Sequence, residues 1–406
     1  MSVRISMKYG GDPMKNGRKQ LSRRDFLQSS ALATMALGAV PIARQQTEKQ
    51  KEEPDPEKIR NYSKDMKYRQ VGNTGVYLSA LCMGGGDLNN AAVVNRAIES
   101  GVNVFHTGLD YRNANSMAVL AEAIKTKRDK IYIALKDTFP KEAPNDIDAL
   151  LKMLGTDHVD FIFYARHKAE EIISPEIRDQ FEGFKAKGKV SHLGLSTHGE
   201  VKACIAAAVD CGMYSVIHAA LPQSGLELAA EDLRKAGEKG ISIIPFKSMR
   251  DIKDPGLQIA QFKKLLSNPM ITSVNRGLPS LEVLETYLKA IRESLTASED
   301  ISLYRYARMN RSDSCAMCGM CEGACPQKIE ISTILRAKAY YHDQLGDRDK
   351  ALSTYQELSP DRRHDGNCLE CRACEIACPN GIQIVQKMNE ANGLFRSLLA
   401  CCITFN

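Results

Sequence analysis

Cys315–Pro326 has the sequence CAMCGMCEGACP, and Cys368–Pro379 repeats its spacing as CLECRACEIACP. Each stretch carries four cysteines in the pattern C-x2-C-x2-C-x3-C and ends in a proline. Such short, fixed spacings let a tight backbone loop direct three thiolates at one iron–sulfur cube, while the fourth cysteine is directed elsewhere. The two runs therefore predict a small C-terminal domain that is built around two clusters.

In two-cluster ferredoxins the fourth cysteine of each run ligates the other cluster. This rule gives two sets of four ligands: Cys315, Cys318, Cys321 and Cys378 for one 4Fe–4S cluster, and Cys368, Cys371, Cys374 and Cys325 for the second. Zinc and disulfides are the alternatives. Zinc sites commonly use two C-x2-C pairs or mixed Cys and His ligands, and they need no third cysteine two residues later. The repeated spacing therefore favours iron–sulfur clusters.

The formal net charge of +6 over 406 residues has a local origin. Residues 1–50 contain nine Lys or Arg and three Asp or Glu, so the rest of the chain is close to neutral. An excess of basic residues that is confined to one terminal segment does not predict a nucleic-acid-binding face. The five cysteines outside the two runs are expected to be buried apolar residues or free thiols.

The N-terminal segment has the features of an export signal. Ser22–Leu27 reads SRRDFL, a twin-arginine pattern, and a weakly apolar stretch follows over Ala31–Val40. That stretch is too short to predict a stable membrane span. We expect residues 1–44 to direct export to the periplasm or another extracytoplasmic space, with a membrane tether if the signal stays uncleaved. Residues 45–65 are charged and contain prolines, which predicts a flexible linker.

Residues 66–292 alternate short apolar runs with longer amphipathic ones. The predicted strands are Leu78–Met83, Val102–His106, Ile131–Lys136, Val159–Tyr164, Val190–Ser196, Ser215–Ala219, Ile241–Phe246 and Ile271–Val274. Eight strands that alternate with helices predict an α/β fold, the (β/α)8 TIM barrel. An open doubly wound sheet is the alternative, but no G-x-G-x-x-G follows the first strand. In such barrels the chemistry lies at the carboxyl ends of the strands.

Three stretches of this region resemble the aldo/keto reductases. Lys67–Gly75 is similar to the hairpin that opens the family's barrel, Gly101–Tyr111 (GVNVFHTGLDY) resembles the family motif GxNxFDTAxxYG, and Gly188–Ser196 resembles its fifth strand. A barrel followed by two cluster runs resembles the iron–sulfur branch of that family. Many members of this branch carry twin-arginine signals.

The resemblance implies a catalytic tetrad that this sequence keeps only in part. Tyr111 falls on the tyrosine that protonates a carbonyl oxygen, and Lys136 falls on the lysine that lowers the pKa of that tyrosine. His106 replaces the aspartate, so the carboxylate partner of the lysine is expected to be missing. The histidine position is Ala165, and His167 follows two residues later as a candidate substitute.

The resemblance also implies NADP(H) as a candidate cofactor. Ser196 and Gln223 would lie near the nicotinamide amide, and Lys247 and Arg276 would lie near the phosphates, where cationic side chains suit anionic oxygens. The altered tetrad, an abbreviated eighth strand and the scarcity of nicotinamide nucleotides outside the cytoplasm leave room for another redox partner.

Residues 293–310 are predicted to form a connecting helix, and residues 311–392 the domain that carries the clusters. Between the cysteine runs, Ile331–Leu345 and Lys350–Leu358 have helical patterns, which resembles the α-helical ferredoxins. Helices in this insert would limit access of water to the clusters. A further helix is predicted over Ile382–Asn392, followed by a tail over residues 393–406 that includes Cys401 and Cys402.

The sequence thus predicts an exported oxidoreductase. In the first hypothesis a carbonyl compound or another small redox substrate binds near Tyr111 and Lys136, and electrons pass between that site and the clusters. In the second the barrel is a degenerate docking module and the protein is an electron carrier. Either hypothesis allows a redox partner protein.

Overall fold

The computed structural model describes residues 54–111, 114–139, 145–344 and 346–403. Its strands are β1 (Tyr68–Gln70), β2 (Tyr77–Ser79), β3 (Leu81–Met83), β4 (Val104–Thr107), β5 (Tyr132–Lys136), β6 (Val159–Ala165), β7 (Val190–Thr197), β8 (Val216–Ala220), β9 (Ser242–Phe246) and β10 (Val274–Arg276). Its α-helices are α1 (Ala91–Glu99), α2 (Asn115–Ile124), α3 (Ile147–Leu154), α4 (Pro175–Ala186), α5 (Val201–Cys211), α6 (Gln223–Leu228), α7 (Ala230–Glu238), α8 (Pro255–Ser267), α9 (Leu281–Arg292), α10 (Ala297–Met309), α11 (Met320–Gly323), α12 (Ile331–Ala339), α13 (Arg348–Gln356), α14 (Ala373–Ile376) and α15 (Ile384–Ile403).

Strands β3 to β10 form the predicted barrel. All paired neighbours are parallel, in the order β10-β3-β4-β5-β6-β7-β8-β9. An isolated parallel bridge between Ile243 and Ile271 nearly closes the ring between β9 and β10, and the amide of Thr272 donates to the carbonyl of Ile243 at 2.9 Å. The expectation of a TIM barrel is confirmed. The polar residues that follow the strands consequently meet at one end, which we call the mouth.

The opposite end of the barrel is closed by the antiparallel hairpin of β1 and β2. Val71 and Leu78 of this hairpin are fully buried and share a core with interior residues such as Phe163. The predicted first strand, Leu78–Met83, is therefore split between two sheets, because the chain leaves the hairpin at Ala80 before it enters the barrel. Inside the barrel, Gly194 makes room for Phe163, since a Cβ at residue 194 would lie 2.2 Å from that ring.

The prediction of a flexible linker over residues 45–65 is wrong for its last part. Ile59 is buried, and the guanidinium of Arg60 donates to Asp160 at 2.8 Å and to the carbonyl of Ile131 at 2.7 Å. The side-chain amide of Asn61 donates to the carbonyl of Ile98 at 2.6 Å. These partly buried hydrogen bonds hold the segment against the barrel. The twin-arginine segment and residues 45–53 lie outside the described residues.

The C-terminal region is helical, as predicted. Its apolar core joins α12, α13 and α15. Helix α12 continues into a π-helical turn at Tyr340–Gln344, and α15 runs to Ile403, so the stretch predicted as a tail is helical over most of its length. The buried Phe395, which stacks on Tyr355 with 4.1 Å between ring centroids, explains the extension. Within the described residues no helix combines the length and apolarity needed to cross a membrane.

Candidate functional site

Cysteines of the two runs lie near each other in two groups, one around Cys321 and one around Cys374. Burial raises the pKa of Cys321, and the neighbouring Cys315, Glu322, Cys318 and Cys378 raise it further. Burial also raises the pKa of Cys374 to about 11, with smaller contributions from Cys325 and Cys368. Cys378 therefore lies near Cys318 and Cys321, and Cys325 lines one space with Cys368, Cys371 and Cys374.

The second set encloses a cavity of its own. Cys325, Cys368, Cys371 and Cys374 all line this space, and its remaining walls are mostly apolar side chains such as Ile331. Every cysteine whose side chain the structure describes is a free thiol. No three His, Cys, Asp or Glu side chains in the described ranges are arranged around a single metal ion. Four thiols around one space are the donor set that a 4Fe–4S cluster requires, since each thiolate binds a different iron.

The loop of the first run packs directly against the barrel. The amide of Val201, at the start of α5, donates to the carbonyl of Met317 at 2.9 Å, and Met317 is buried in the barrel core. Gly225 permits this approach, because a Cβ there would lie 2.9 Å from the carbonyl oxygen of Ala316. The loop that carries Cys315 therefore lies against the barrel.

At the mouth, Lys136 has the carboxylate partner that the sequence was expected to lack. Its ammonium donates to Oδ2 of Asp110 at 2.7 Å, and Lys350 of α13 donates to the same oxygen at 3.3 Å. Burial opposes ionisation of Asp110, but the two lysines outweigh it and lower its pKa to about 2. Asp110 precedes Tyr111 and lies four residues after the position where the family motif has its aspartate. The expectation of an unpaired lysine is therefore wrong.

His106 and Tyr111 are both buried beside this ion pair. Burial and the charge of Lys136 lower the pKa of His106 to about 3, so its imidazole is neutral, and its Nε2 has no hydrogen-bond partner. Burial and the charge of Asp110 raise the pKa of Tyr111 well above its usual value. The lysine that the resemblance assigns to Tyr111 has its ammonium 5.9 Å from the centre of the ring. This arrangement does not make Tyr111 more acidic.

His167 lies at the mouth rather than on the free surface. Its ring stacks on that of His198 with 3.8 Å between centroids, and its Nδ1 accepts from the amide of His198 at 3.4 Å. Arg336 of α12 contacts Nδ1 of His198 from the other side. Burial and nearby cations, first among them Arg336, hold the pKa of both histidines well below the usual range. Both imidazoles are therefore neutral.

Lys247, predicted near the cofactor phosphates, is paired with the C-terminal domain. Its ammonium donates to the hydroxyl of Tyr340 at 3.0 Å and lies 4.7 Å from the centre of that ring. Burial lowers the pKa of Lys247 to about 8. Burial opposes ionisation of Tyr340, but the charges of Lys247, Arg336 and Lys350 outweigh it and lower its pKa to about 7. Of the mouth tyrosines, Tyr340 is the acidic one.

The three other predicted cofactor residues belong to different strands and helices of the barrel. The hydroxyl of Ser196 is 3.1 Å from Nδ1 of His218 and is buried. Gln223 begins α6 and lines a cleft beside the first cysteine run. Arg276 donates to the hydroxyl of Tyr287 at 2.9 Å and to Gln258 at 3.0 Å.

The sequence did not single out four residues that the structure places at the mouth: Asp110, Arg336, Tyr340 and Lys350. Of these four, only Asp110 could be found from the local sequence, because it is the carboxylate next to Tyr111 in the stretch that resembles the family motif. The other three come from the helical insert between the cysteine runs. Their contact partners are 93 to 240 residues away in the chain, so no spacing pattern could reveal them.

Comparisons with known proteins agree with this two-part organisation. The sequence pattern of the aldo/keto reductase family matches residues 83–251, and that of the 4Fe-4S dicluster domain matches residues 311–382. One curated relative is the uncharacterized oxidoreductase YrpG of Bacillus subtilis, which is 28% identical over 162 residues, or 32% of this chain and 49% of that protein. The chain thus spans about half the length of this relative.

Among solved structures, the barrel is similar to the holo form of aldo-keto reductase AKR11C1 from Bacillus halodurans. The TM-score is 0.51 with 19% sequence identity, and the match covers 59% of this chain and 96% of that one. At this identity the likeness shows the fold alone.

Proposed function

We propose that this chain, which joins an aldo/keto reductase domain to a C-terminal 4Fe–4S dicluster domain, is an oxidoreductase whose barrel mouth exchanges electrons with two clusters. One observation carries the proposal: the insert between the cysteine runs supplies side chains to the mouth. Lys350 shares Asp110 with Lys136, and Tyr340 accepts from Lys247. A module that served only as a carrier would have no need of buried charges in the barrel.

The first-run loop supplies the electronic link in this proposal. When bound, a 4Fe–4S cluster gives or takes an electron at the potential that its surroundings set. Cys315, Cys318, Cys321 and Cys378 would hold one cluster against the barrel, and the other four cysteines would hold a second. Cys371 is exposed, so the second set lies where a redox partner protein can reach it.

Proton transfer at the mouth requires an acid that gives up its proton near neutral pH. We assign this role to Tyr340 rather than to Tyr111. Tyr340 accepts a hydrogen bond from Lys247 and its pKa is lowered, whereas the pKa of Tyr111 is raised. Asp110 holds Lys136 and Lys350 in place, and His106 presents a neutral nitrogen without a partner.

NADP(H) is the weaker candidate for the electron source. Lys247 and Arg276, which the resemblance placed near the phosphates, already have partners within the chain. Binding of the nucleotide at those residues would have to break these contacts. We therefore propose that the clusters, and not a nicotinamide nucleotide, exchange electrons with the substrate. The substrate class is a carbonyl compound or another small redox-active molecule.

Anaerobically prepared, cluster-loaded protein tests the proposal. Dithionite-reduced protein is mixed with candidate acceptors, and the return of cluster absorbance near 400 nm is followed in the wild type and in Tyr340→Phe. Reoxidation by a carbonyl compound that slows in the variant supports the proposal. A parallel titration with NADPH uses Lys247→Ala and Arg276→Ala. Saturable nucleotide binding that both variants abolish would contradict the proposed electron source.

The second candidate function is that of an electron carrier with a degenerate barrel. It is favoured by the same internal partners of Lys247 and Arg276, because a filled mouth needs no substrate. Reduced protein that passes electrons to a partner protein, but to no small molecule, would identify this function.

For the cellular location, we propose export by the twin-arginine route on the basis of Ser22–Leu27.

A further inference from the structure

The proposed function assigns no role to a cleft that lies beside the mouth. Its floor is formed by the loops that follow β8 and β9, and its sides are formed by α10 and α12. Its volume is about 870 Å³, which lies in the range of small-molecule sites. Lys247, Arg276 and Ser196 do not line it. The cleft is therefore distinct from the residues that the resemblance assigned to nicotinamide nucleotides, apart from Gln223.

Two buried polar atoms at this cleft lack a hydrogen-bond partner. They are Oγ of Ser248, whose residue is 3% exposed, and Nε of Arg336, whose residue is 7% exposed. Leaving a buried donor unsatisfied costs about 1–3 kcal/mol, and more for a charged group. A guanidinium N–H can only donate, so the missing partner of Arg336 is an acceptor. A hydroxyl can donate to the same kind of group.

The charge of the lining points to the same kind of ligand. Seven basic and three acidic side chains line the cleft. Two ion pairs lie within this set, Asp251 with Arg250 at 2.7 Å and Asp313 with Lys387 at 3.3 Å, so that five basic side chains and one acidic side chain remain. Of the five, Lys338 pairs with Glu390 outside the lining. The surplus positive charge favours an anion, because cationic side chains bind carboxylate, sulfonate and phosphate oxygens through charge-assisted hydrogen bonds.

Aromatic side chains and a cluster ligand complete the lining. Tyr304 and Tyr306 of α10 contribute ring surface on one side, on which a planar apolar body can stack. Cys315, a predicted ligand of the cluster that lies against the barrel, lines the same space. A molecule in the cleft would therefore be in contact with the coordination sphere of that cluster.

We propose that this cleft binds an aromatic organic anion, held by Arg336 and Ser248 and placed against Cys315. The inference deepens the proposed function, since it gives the electron-exchanging substrate a second, more open place beside the mouth. The binding step itself stands without that function. The cleft contains open space between these side chains, in which a ligand can be accommodated.

Naphthalene-2,6-disulfonate is a suitable probe, because it is planar, anionic and not reduced by the clusters. Its binding to the anaerobic, cluster-loaded full chain is measured by calorimetry. The variants are Arg336→Gln and Ser248→Ala, and the control is Arg396→Gln, an exposed residue of α15 that pairs with Asp365 outside the cleft. We expect saturable binding, at least tenfold weaker in both cleft variants and unchanged in the control.

Electron paramagnetic resonance of the dithionite-reduced protein gives a second readout. The probe should alter the signal of one cluster in the wild type and leave it unaltered in Ser248→Ala, a small change that guards against misfolding of Arg336→Gln. Absence of binding, or binding that both cleft variants retain, would overturn the proposal. A cleft that binds NADPH but not the probe would also overturn it. If the probe binds as expected but reduced protein transfers electrons to no small acceptor, the proposed function fails and the cleft site stands.

Discussion

Lys247 and Tyr340, one from the barrel and one from the helical insert, are joined by a 3.0 Å hydrogen bond in a buried position. Lys247 follows β9, and Tyr340 opens the π-helical turn after α12. Such turns are frequent at functional sites. The pair places an acidic tyrosine where the barrel alone provides only Tyr111, whose pKa is raised.

The first prediction concerns the pH dependence of substrate-driven cluster reoxidation. A proton donor must be protonated, so a rate that depends on Tyr340 should fall as pH rises through about 7. A rate that depends on Tyr111 should show no such fall, because that tyrosine keeps its proton to much higher pH. Tyr340→Phe should lower the rate at least tenfold, and Tyr111→Phe less. Stopped-flow absorbance between pH 6 and 9 measures both. A fall near pH 7 that survives in Tyr340→Phe would refute the assignment.

The second prediction tests the crossed ligand sets. Wild-type protein should contain about eight irons per chain, and Cys378→Ala about four. Cys378→Ala should lose the same paramagnetic signal as Cys318→Ala, which belongs to the predicted first set, and keep the one that Cys371→Ala loses. Cys211→Ala, a free cysteine of α5 outside both runs, should retain all the iron. Identical spectra for Cys378→Ala and Cys371→Ala would disprove the crossing.

The third prediction concerns Asp110, which holds two lysines from different domains. Asp110→Asn leaves the ammonium groups of Lys136 and Lys350 next to each other without a carboxylate. We expect a loss of about 1–3 kcal/mol in the free energy of unfolding, because the groups are largely removed from water. The control is Glu122→Gln, which removes an exposed pair with Lys125 and should cost less than about 1 kcal/mol. Anaerobic denaturant titration compares the two. Equal effects would show that the mouth pair adds nothing beyond a surface contact.

The fourth prediction uses two glycines with opposite surroundings. Gly194→Ala should destabilise the barrel by about 1–3 kcal/mol, since the added methyl group overlaps the ring of Phe163. Gly183→Ala on α4 meets nothing within 4 Å and should stabilise the protein by about 0.5–1 kcal/mol through helix propensity. Thermal unfolding followed by circular dichroism should therefore shift in opposite directions. A neutral Gly194→Ala would show that Phe163 can move aside.

The fifth prediction concerns export. Changing Arg23 and Arg24 together to lysine should retain the protein in the cytoplasm of a host with a twin-arginine pathway, whereas Arg18→Lys should not. Cell fractionation followed by immunoblotting measures the distribution. Equal distribution of both variants would indicate that Ser22–Leu27 is not an export signal.

Local patterns in the sequence predicted most of the fold. Alternating apolar runs indicated eight strands, and the repeated cysteine spacing indicated the ligand sets. The composition of the mouth could not be predicted in this way. Tyr340 and Lys350 reach Lys247 and Asp110 only because α12 and α13 dock on the barrel, and docking depends on the packing of whole surfaces. Arg60 gave no signal for a similar reason, since its partner Asp160 is 100 residues away.

The close approach of Ala316 to Gly225 restricts how this protein can change over evolution. Any side chain at residue 225 would push the first cysteine loop away from the barrel and so lengthen the path of the proposed electron transfer. A ferredoxin-like module moved onto another barrel would therefore fail to exchange electrons with it, unless that barrel also had a position without a side chain at the same place. The two halves are consequently expected to be inherited together rather than exchanged as separate cassettes.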